Sequence, residues 1–453
     1  MFFVTRQFSP ILVCFASGFL VIGSIIPDSV QAYQKVLMRV LVFEGKTISF
    51  RADRKKFLYV SGIGSGQKRL KSLTVRKNNR KLQVQFSGSR SSKGWLDLAR
   101  NVDLKVGSRG QRGVWMGKRR YKGQLRLEAG GNGLQVINYL PLEEYLISVV
   151  GSEVPKTWPM AALKAQAIAA RTYALKSKEK KGRTYDIKST ESSQVYLGVE
   201  AETKNIGRAV RQTRALVLTH KGKLINAVFH SSSGGLTEHS GFVWKYQVPY
   251  LRSVSDSDQH SPKYNWDVLY KPRQLRSIFK EIGGVNNIHP IKISSTGRIT
   301  SARVTGPLGM VVVSGKELRS RLKLKSTLVR FKMISANSME AKFINPLPPE
   351  FTSSPKSNRF PTKAMRKSSG FWRDWSFGGE SLMNPKLPVL NLPPPLFANP
   401  FSLNKRDKNS LAVMNSLPPI PLKIKDPVLL AKGFGAGHGV GLSQWGAHGM
   451  AKK

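Results

Sequence analysis

The chain has 453 residues, more than the roughly 250 to 300 at which a single core stops growing, so two or more structural units are expected. Its 74 Lys and Arg residues against 26 Asp and Glu residues give a formal charge of +48, which indicates a polyanionic neighbour or, alternatively, a solvated basic surface. A single cysteine, Cys14, excludes an intrachain disulfide and a site built from several thiolates.

The N-terminus, residues 1–32, has the features of a secretory signal. Arg6 precedes an apolar run from Ile11 to Ile26, and small residues up to Ala32 suit cleavage before Tyr33. A retained membrane anchor is the alternative, because the run is nearly long enough to cross a bilayer. Export to the periplasm or cell envelope disfavours nucleic acid as a partner and leaves wall polymers, stem-peptide carboxylates and anionic lipid head groups.

Residues 33–130 have the pattern of a small all-β unit. Short alternating runs at 37–43, 57–60, 82–86 and 123–127 are separated by Gly, Ser and basic turns. The segment is rich in Lys and Arg and has no arrangement of acids suited to catalysis. We interpret it as a basic docking unit.

A helix is predicted at the start of the second unit, which we place at residues 131–336. Apolar residues recur at helical spacing between Asn138 and Val150, and Gly151 is expected to end the helix. Glu153 would then lie in the loop that follows.

A second helix is expected to begin near Thr157 or Trp158 and to end near Lys178. Pro159 would lie in its first turn, where the missing amide hydrogen does no harm. The segment is apolar on nearly every side, which predicts a helix buried in the core.

Strands and short helices are predicted for the rest of this unit. Strands are expected at 216–219, 224–229, 299–304, 310–313 and 328–334. The first two would form a hairpin that carries a polar loop beginning at His230. Ser314 and Glu317 form a capping-box pattern for a short helix. Mixed helices and hairpins predict an α+β domain around a cleft.

The composition changes at residues 337–427, where prolines alternate with Asn, Ser and Lys. Such a segment cannot easily form a core, so we predict a disordered surface insertion whose ends lie close together in space. Residues 428–453 then return to the α+β domain.

Three motifs follow one another along the chain. GSEVP at 151–155 precedes AARTYAL at 169–175, HSSSGG begins at His230, and GFGAGHGVGLSQWGA spans 433–447. Together they resemble the stage II sporulation protein D family, which includes the LytB amidase-enhancer branch. The resemblance covers about 138–333 and 428–453. It implies a lytic transglycosylase that cuts peptidoglycan glycan strands, with catalysis at Glu153.

Glu153 suits such a reaction because a lytic transglycosylase manages with one carboxyl group where most glycosidases use two. The C6 hydroxyl of muramic acid attacks its own C1, so one glutamate first donates a proton and then accepts one. Partial desolvation between two helices would favour the acid. A capping carboxylate at the second helix is the structural alternative.

Three residues of the second helix are candidates for binding substrate. Lys164 and Arg171 are seven residues apart and share a face, from which they could hold sugar hydroxyls or a lactyl carboxylate. For the two cations, the alternative is buried pairing with Glu143 or Glu144. For Tyr173, as for Gln166, the alternative is packing and hydrogen bonding between helices.

Further candidate substrate-binding residues belong to the two later motifs, and a self-satisfied turn is the alternative for the first of them. They are His230, Ser231, Ser232, Ser233, His438, Ser443 and Gln444. Some members of the family hold zinc through histidines and cysteines in this region. No cysteine is available here, so no cofactor is expected, and a site made of His230, His239 and His438 is the minor alternative. The glycines of the last motif lack the Gly-Lys-Ser/Thr of a phosphate loop.

The sequence thus predicts cleavage of glycan strands to 1,6-anhydro-muramic acid ends, with Glu153 as general acid and then base. The alternative is a non-catalytic wall-binding protein that recruits or stimulates an amidase. The expected partners are peptidoglycan strands, a cell-wall amidase and an anionic wall or membrane surface, without nucleic acid.

Overall fold

The computed structural model describes residues 3–5, 36–54, 56–87, 94–110, 112–130, 133–180, 182–190, 193–334 and 427–453, with backbone alone for 3–5. The predictions for the signal segment and for the Pro-rich insertion therefore fall almost wholly outside the described residues. Within the described ranges, no helix is both long and apolar enough to cross a membrane. The chain separates into two compact units, Met1–Ala227 and Val228–Lys453.

Most of the first unit is β-structure. Its strands are β1 (Phe3–Thr5), β2 (Leu37–Gly45), β3 (Thr47–Arg51), β4 (Leu58–Ser61), β5 (Gln67–Leu70), β6 (Ser72–Asn78), β7 (Lys81–Ser87), β8 (Leu96–Asp97), β9 (Leu104–Gly107), β10 (Val114–Met116), β11 (Arg119–Tyr121), β12 (Gln124–Gly130), β13 (Gly133–Pro141), β14 (Ile187–Lys188), β15 (Val217–His220) and β16 (Lys223–Leu224). A seven-stranded sheet has the order β14-β2-β13-β12-β9-β4-β5, and a six-stranded sheet has the order β11-β10-β3-β6-β7-β8. β1, β15 and β16 form a small third sheet.

The alternation seen in the sequence explains how the two large sheets bury their inner faces. In β6 the side chains of Leu73 and Val75 are buried, while those of Ser72, Thr74 and Arg76 between them are more exposed. Period-two patterns of this kind place one apolar set in the core and one polar set at the surface. The predicted all-β segment forms these sheets with β13 and β14, which come from beyond its predicted end.

Three helices follow the sheets in the first unit. They are α1 (Leu142–Glu153), α2 (Met160–Lys178) and α3 (Lys204–Gln212), and a 3-10 turn spans Gly198–Ala201. α2 is buried along most of its length, as its composition predicts. It begins after Pro159, which is the N-cap residue, and not at Thr157 or Trp158.

The first helix corrects two expectations. Residues 138–141 belong to β13, and α1 continues through Gly151 to Glu153. Gly151 does not end the helix; a Cβ at this position would lie 2.1 Å from the carbonyl oxygen of Ala201. The glycine therefore permits close approach of the 3-10 turn to the helix. Glu153 is the last residue of a helix and not part of a loop.

The second unit contains the remaining elements. They are β17 (Phe229–His230), α4 (Ser240–Val243), β18 (Asn265–Tyr270), α5 (Pro272–Ile278), a 3-10 turn (Lys280–Ile282), β19 (Asn287–Ile293), β20 (Ile299–Gly306), β21 (Gly309–Ser314), α6 (Gly315–Arg321), β22 (Val329–Ile334), β23 (Val428–Phe434), β24 (Leu442–Ser443) and α7 (Gln444–Met450). The sheets have the orders β18-β23-β22, β19-β20-β21 and β17-β24. α6 begins as predicted, because the Ser314 hydroxyl accepts a hydrogen bond from the amide of Glu317 at 3.1 Å.

β23 lies between β18 and β22 and returns the end of the chain to the core. Val329 is opposite Gly433 and Ile334 is opposite Val428 in an antiparallel register. The two strands that flank the predicted insertion are therefore neighbours. Leu429 and Ala431 of β23 belong to the apolar core of this unit, and the mixed α+β prediction is confirmed.

Candidate functional site

Glu153 lies half-buried at the C-terminal end of α1. The amide of Val195 donates a hydrogen bond to its Oε1 at 2.8 Å. The segment that contains Val195 is itself fixed to α1, because the amide of Leu197 donates to the hydroxyl of Ser152 at 3.3 Å. The carboxyl group is thus oriented by backbone and remains partly accessible. It does not cap α2, because the N-cap there is Pro159.

The charge of Glu153 contributes to the raised pKa of two tyrosines. Burial and then the charge of Glu153 raise the pKa of Tyr173 to about 12. Burial, with smaller contributions from Tyr173 and Glu153, raises the pKa of Tyr145 well above its ordinary value. The Tyr145 hydroxyl donates to Oε1 of Gln194 at 3.0 Å. Both phenols therefore stay protonated near neutral pH and act as neutral hydrogen-bonding groups.

Lys164 and Gln166 face different surroundings on α2. Lys164 is half-buried and has no ion pair among the described residues, so its cation remains available to a ligand. Gln166 is 2% exposed, and neither of its side-chain polar atoms has a hydrogen-bond partner in the described part of the chain. The hydrogen bond between helices that was expected of Gln166 is not formed.

Arg171 is fully buried, and its partner is Glu143. The pair is bidentate, with Nε to Oε1 and Nη2 to Oε2 both at 2.9 Å. The guanidinium also donates to the carbonyl oxygens of Val210 and Leu216. The alternative of a buried pairing is therefore what the structure contains. Arg171 ties α1, α2 and α3 together and does not present its charge to a ligand.

In the second unit, His230 and His438 form a buried pair whose ring centroids are 5.6 Å apart. Nδ1 of His230 lies 3.1 Å from the carbonyl oxygen of Val440, so it donates, and its buried Nε2 carries a lone pair without a partner among the described residues. Nδ1 of His438 accepts from the amide of Val440 at 3.1 Å. Burial lowers the pKa of His438 to about 3 and that of His230 well below its ordinary value, so both rings are neutral near pH 7.

The serines after His230 hydrogen-bond to two aspartates. The hydroxyls of Ser232 and Ser233 donate to Asp258 and Asp256, respectively, at 2.5 Å. Asp258 also accepts the amides of Gly234 and Gly235 at 2.8 and 2.9 Å. The hydroxyls of Ser232 and Ser233 are therefore already paired within the protein, with carboxylates from outside the turn. Ser231 is half-buried, and its carbonyl oxygen accepts from the amide of Trp445 at 3.0 Å.

A second buried network of hydrogen bonds is made to the same loop by Arg298 and Glu238. Arg298 donates through Nη2 to the carbonyl oxygens of Ser233 and Leu236, at 2.6 and 3.0 Å. Its charge is balanced by Glu238, whose Oε2 lies 3.9 Å from Nη1. Glu238 accepts the hydroxyl of Thr296 at 2.5 Å. The loop is thus held by carboxylates through its hydroxyls and amides and by the Arg298 guanidinium through its carbonyl oxygens.

The C-terminal motif residues are also internal. The Ser443 hydroxyl accepts from the amide of Gly446 at 3.1 Å and so caps α7. Gln444 is buried at the start of that helix. Neither residue is placed as an exposed ligand-binding group, contrary to the expectation for them.

In the described part of the second unit, the three histidines do not come together as a group that could hold a metal. The described residues contain no group of three or more His, Cys, Asp or Glu side chains that could hold a metal. His230 and His438 each use Nδ1 in a hydrogen bond to the Val440 backbone, and Nδ1 of His239 accepts from the amide of Ser253 at 3.4 Å. The three-histidine site is therefore not assembled.

Asp256, Asp258 and Arg298 are the residues that motif reasoning missed. Their partners lie 23 to 65 positions away in the sequence, so no local pattern links them. The only available signal was the run of three serines beside two glycines, whose donors require acceptors from elsewhere.

Comparison with known proteins gives three related findings. Residues 130–220 match the family model of the stage II sporulation protein, SpoIID. The chain is 33% identical over 207 residues to stage II sporulation protein D of Bacillus subtilis (strain 168), which covers 41% of this chain and 57% of that protein. It is 32% identical over 215 residues to the protein of the same name from Bacillus amyloliquefaciens, covering 43% of this chain and 61% of that protein.

The amidase enhancer of Bacillus subtilis (strain 168) matches a longer part of the chain. The identity is 28% over 316 residues, covering 68% of this chain and 37% of that protein. The chain thus spans less than two thirds of the length of each of these relatives. The family match contains Glu153 and α2, whereas the His230 loop and the C-terminal motif lie beyond it. The predicted family resemblance is confirmed.

Proposed function

We propose that this chain, whose residues 130–220 match the stage II sporulation protein family model, cleaves peptidoglycan glycan strands by lytic transglycosylation. The family is associated with the cell wall. The reaction needs one proton donor at the glycosidic oxygen and one acceptor for the C6 hydroxyl proton of muramic acid, and Glu153 fills both roles in turn.

The observation that carries this proposal is the setting of Glu153. Its Oε1 accepts a hydrogen bond from the Val195 amide at 2.8 Å, which orients the carboxyl group to which we assign the proton transfer. The carboxyl donates its proton to the leaving oxygen, and the carboxylate that results takes the proton of the C6 hydroxyl as that oxygen bonds to C1. The attack is intramolecular and benefits from a high effective molarity, so no bound water is needed as nucleophile.

Other groups of the first unit support the reaction. Lys164 is a half-buried cation without an ion pair among the described residues, which suits a lactyl carboxylate. Tyr173 remains a neutral phenol beside the charge of Glu153 and is assigned to hydrogen bonding with the sugar. Arg171 acts indirectly, by fixing α1 against α2 through Glu143.

The test is mass spectrometry of purified glycan strands after incubation with the protein. The expected products end in 1,6-anhydro-muramic acid. Ordinary reducing ends would instead mean hydrolysis with water as nucleophile, and intact strands would contradict any cleavage.

A second candidate is a non-catalytic wall-binding protein that stimulates an amidase. It is supported by the match to a protein named amidase enhancer, which covers 68% of this chain. Intact strands in the first assay, together with faster release of stem peptides when a cell-wall amidase is added, would favour it.

We also propose that the protein is exported and works in the cell envelope, with residues 1–32 as its signal. Cleavage before Tyr33 would remove β1 and its pairing with β15. N-terminal sequencing of the protein from the envelope fraction tests this, and a mature chain that starts at Tyr33 is the expected result. A chain found only in the cytoplasm with Met1 intact would contradict it.

A further inference from the structure

The outward face of the six-stranded sheet carries a regular arrangement of aromatic and polar side chains. Trp115 lies between Arg51 and Arg120 in a cross-strand row over β3, β10 and β11. The guanidinium carbons are 4.1 and 4.8 Å from the indole centroid. We call the face that contains Arg51, Arg76, Trp95 and Trp115 the arginine–tryptophan face.

A second guanidinium and indole pair lies on the same face. The guanidinium carbon of Arg76 is 4.0 Å from the ring centroid of Trp95, and its Nε donates to Gln83 at 2.7 Å. Thr47 is opposite Arg76 and Ser72 is opposite Arg51, so the two arginines are four positions apart along the strands and one strand apart across them. Strand geometry then separates their Cα atoms by about 14 Å.

Between the two pairs the face is polar. Ser49 and Thr74 face each other across β3 and β6 with their hydroxyls 3.0 Å apart, and Gln85 continues the row on β7. The side chains that alternate with them, such as Phe50 and Leu73, are buried in the core. The hydroxyls and amides of this row can hydrogen-bond to sugar hydroxyls. The indole rings at its two ends can pack against sugar rings.

The charge of the face adds a second requirement on its ligand. Arg51 has no carboxylate partner among the described residues. Arg120 is paired with Glu200 and lies 3.9 Å from Asp53, which also accepts a hydrogen bond from the Trp115 indole at 3.4 Å. Acids are few between residues 36 and 130, where they are Glu44, Asp53, Asp97, Asp103 and Glu128. A glycan that carries carboxylates can hydrogen-bond to the polar row through its hydroxyls and form ion pairs with the guanidinium groups.

We propose that the arginine–tryptophan face binds a carboxylate-bearing glycan strand of peptidoglycan, apart from the residues assigned to cleavage. The identity of this ligand rests on the proposed function. Binding at this face would hold the glycan strand without cleaving it. The guanidinium and indole groups of the face are already stacked on each other before binding, which lowers the entropy cost of forming the complex.

The experiment is co-sedimentation of the full chain, carrying Glu153→Gln, with peptidoglycan sacculi stripped of other anionic polymers. A double variant, Arg51→Ala with Trp115→Ala, is compared with a matched control, Arg109→Ala with Tyr59→Ala. The control removes the same charge and a similar pair, since Arg109 lies over the Tyr59 ring at 4.4 Å on the seven-stranded sheet. We expect the dissociation constant to rise about tenfold for the first pair and to change less than about twofold for the control.

Three results would overturn the proposal. Equal weakening in both double variants means that bulk charge binds the wall, and no weakening in either means that the face is not used. Loss of binding to anionic phospholipid vesicles, with binding to sacculi unchanged, assigns the face to a membrane. Melting curves check the fold, and the single variant Trp95→Ala at the other end of the face replaces the double variant if the latter does not fold.

Failure of the proposed function is distinguishable from failure of this inference. The cleavage assay uses the wild-type chain and reports on glycan ends, whereas the sedimentation assay uses a chain without the Glu153 carboxyl. If the wild-type protein leaves strands intact while the arginine–tryptophan variants alone lose binding, binding at the face is supported and the cleavage activity is contradicted.

Discussion

In the first unit Glu153 is half-buried and its Oε1 accepts a hydrogen bond from a backbone amide. In the second unit Asp256 and Asp258 accept two hydroxyls and two amides between them from one serine and glycine loop. The carboxyl groups of the two regions differ in their solvent exposure and in how many hydrogen bonds they accept from one loop. A carboxyl group that keeps access to solvent can exchange a proton with a ligand, whereas one that accepts from three donors of a loop, as Asp258 does, holds that loop in shape.

The largest effect should come from Glu153→Gln. Removing the carboxyl proton donor should lower cleavage by about 10² to 10⁴-fold, because general acid and base catalysis contributes on that order. Folding should not change, since the glutamine still accepts from the Val195 amide. Initial rates of anhydro-end formation measure the effect.

Glu179→Gln is the matched control for that variant, because it removes a surface carboxylate that pairs only with Lys176 at 2.7 Å. It should keep wild-type activity. Parallel loss of melting temperature and of cleavage in Glu153→Gln would contradict the catalytic role and make Glu153 a structural group.

The next effect concerns stability of the second unit. Asp258→Ala leaves a buried hydroxyl and two amides without their acceptor, so we expect the free energy of unfolding to fall by about 3 kcal/mol. Denaturant melts followed by tryptophan fluorescence measure it.

Asp267→Ala, at an exposed position of β18, is the control and should change stability by less than about 0.5 kcal/mol. If Asp258→Ala were as mild as this control, the carboxylate would not be holding the loop, and the contrast between the two units would disappear.

Acid should weaken the second unit through its histidine pair. The pKa of His438 is lowered to about 3 and that of His230 is lowered well below 6.5, so the unfolded chain binds protons that the folded one does not. The stability is present above about pH 6.5 and is lost as the pH falls towards about 3, by about 1.4 kcal/mol per pH unit for each histidine. Denaturant melts at stepwise lower pH follow it.

The variant His438→Gln should flatten this dependence, and His260→Gln, at an exposed position, should leave it as in the wild type. A dependence that is identical in both variants would locate the acid sensitivity outside the histidine pair.

The smallest effect is expected from shortening the chain between β22 and β23. Replacing 337–427 by a short Gly/Ser linker should change stability by less than about 1 kcal/mol, since loop-closure entropy varies slowly with length. Ile334 and Val428 are already opposite each other, so the sheet does not need the intervening residues to align them. Differential scanning calorimetry and the cleavage assay are the measurements. A shortened protein that does not fold would make the segment part of the core.

Much of the fold followed from sequence patterns, because alternation and helical spacing are local properties. The strands at 299–306 and 309–314 and the Ser314 cap lie close to where the pattern places them. Gly151 was misjudged because the close approach of Ala201, fifty positions later, decides its role. A glycine alone does not reveal whether it breaks a helix or admits a neighbour.

The candidate site could be predicted only in part. Family motifs drew attention to Glu153, Arg171 and the serines, yet motif membership does not separate a group that meets a ligand from one that supports it. Arg171 is buried against Glu143, and Ser232 is buried against Asp258. Both pairings depend on tertiary contacts, and those contacts determine which polar side chains remain accessible.

The position of β23 in its sheet has a consequence for how the protein is made. Residues 428–434 form the strand between β18 and β22. This three-stranded sheet therefore cannot form until these residues have been synthesised. Residues 1–227 can complete their own core well before that moment, since domains generally fold as units during synthesis. We expect the second unit instead to stay incomplete during that interval, because β18 and β22 are not neighbours of each other and both pair with β23.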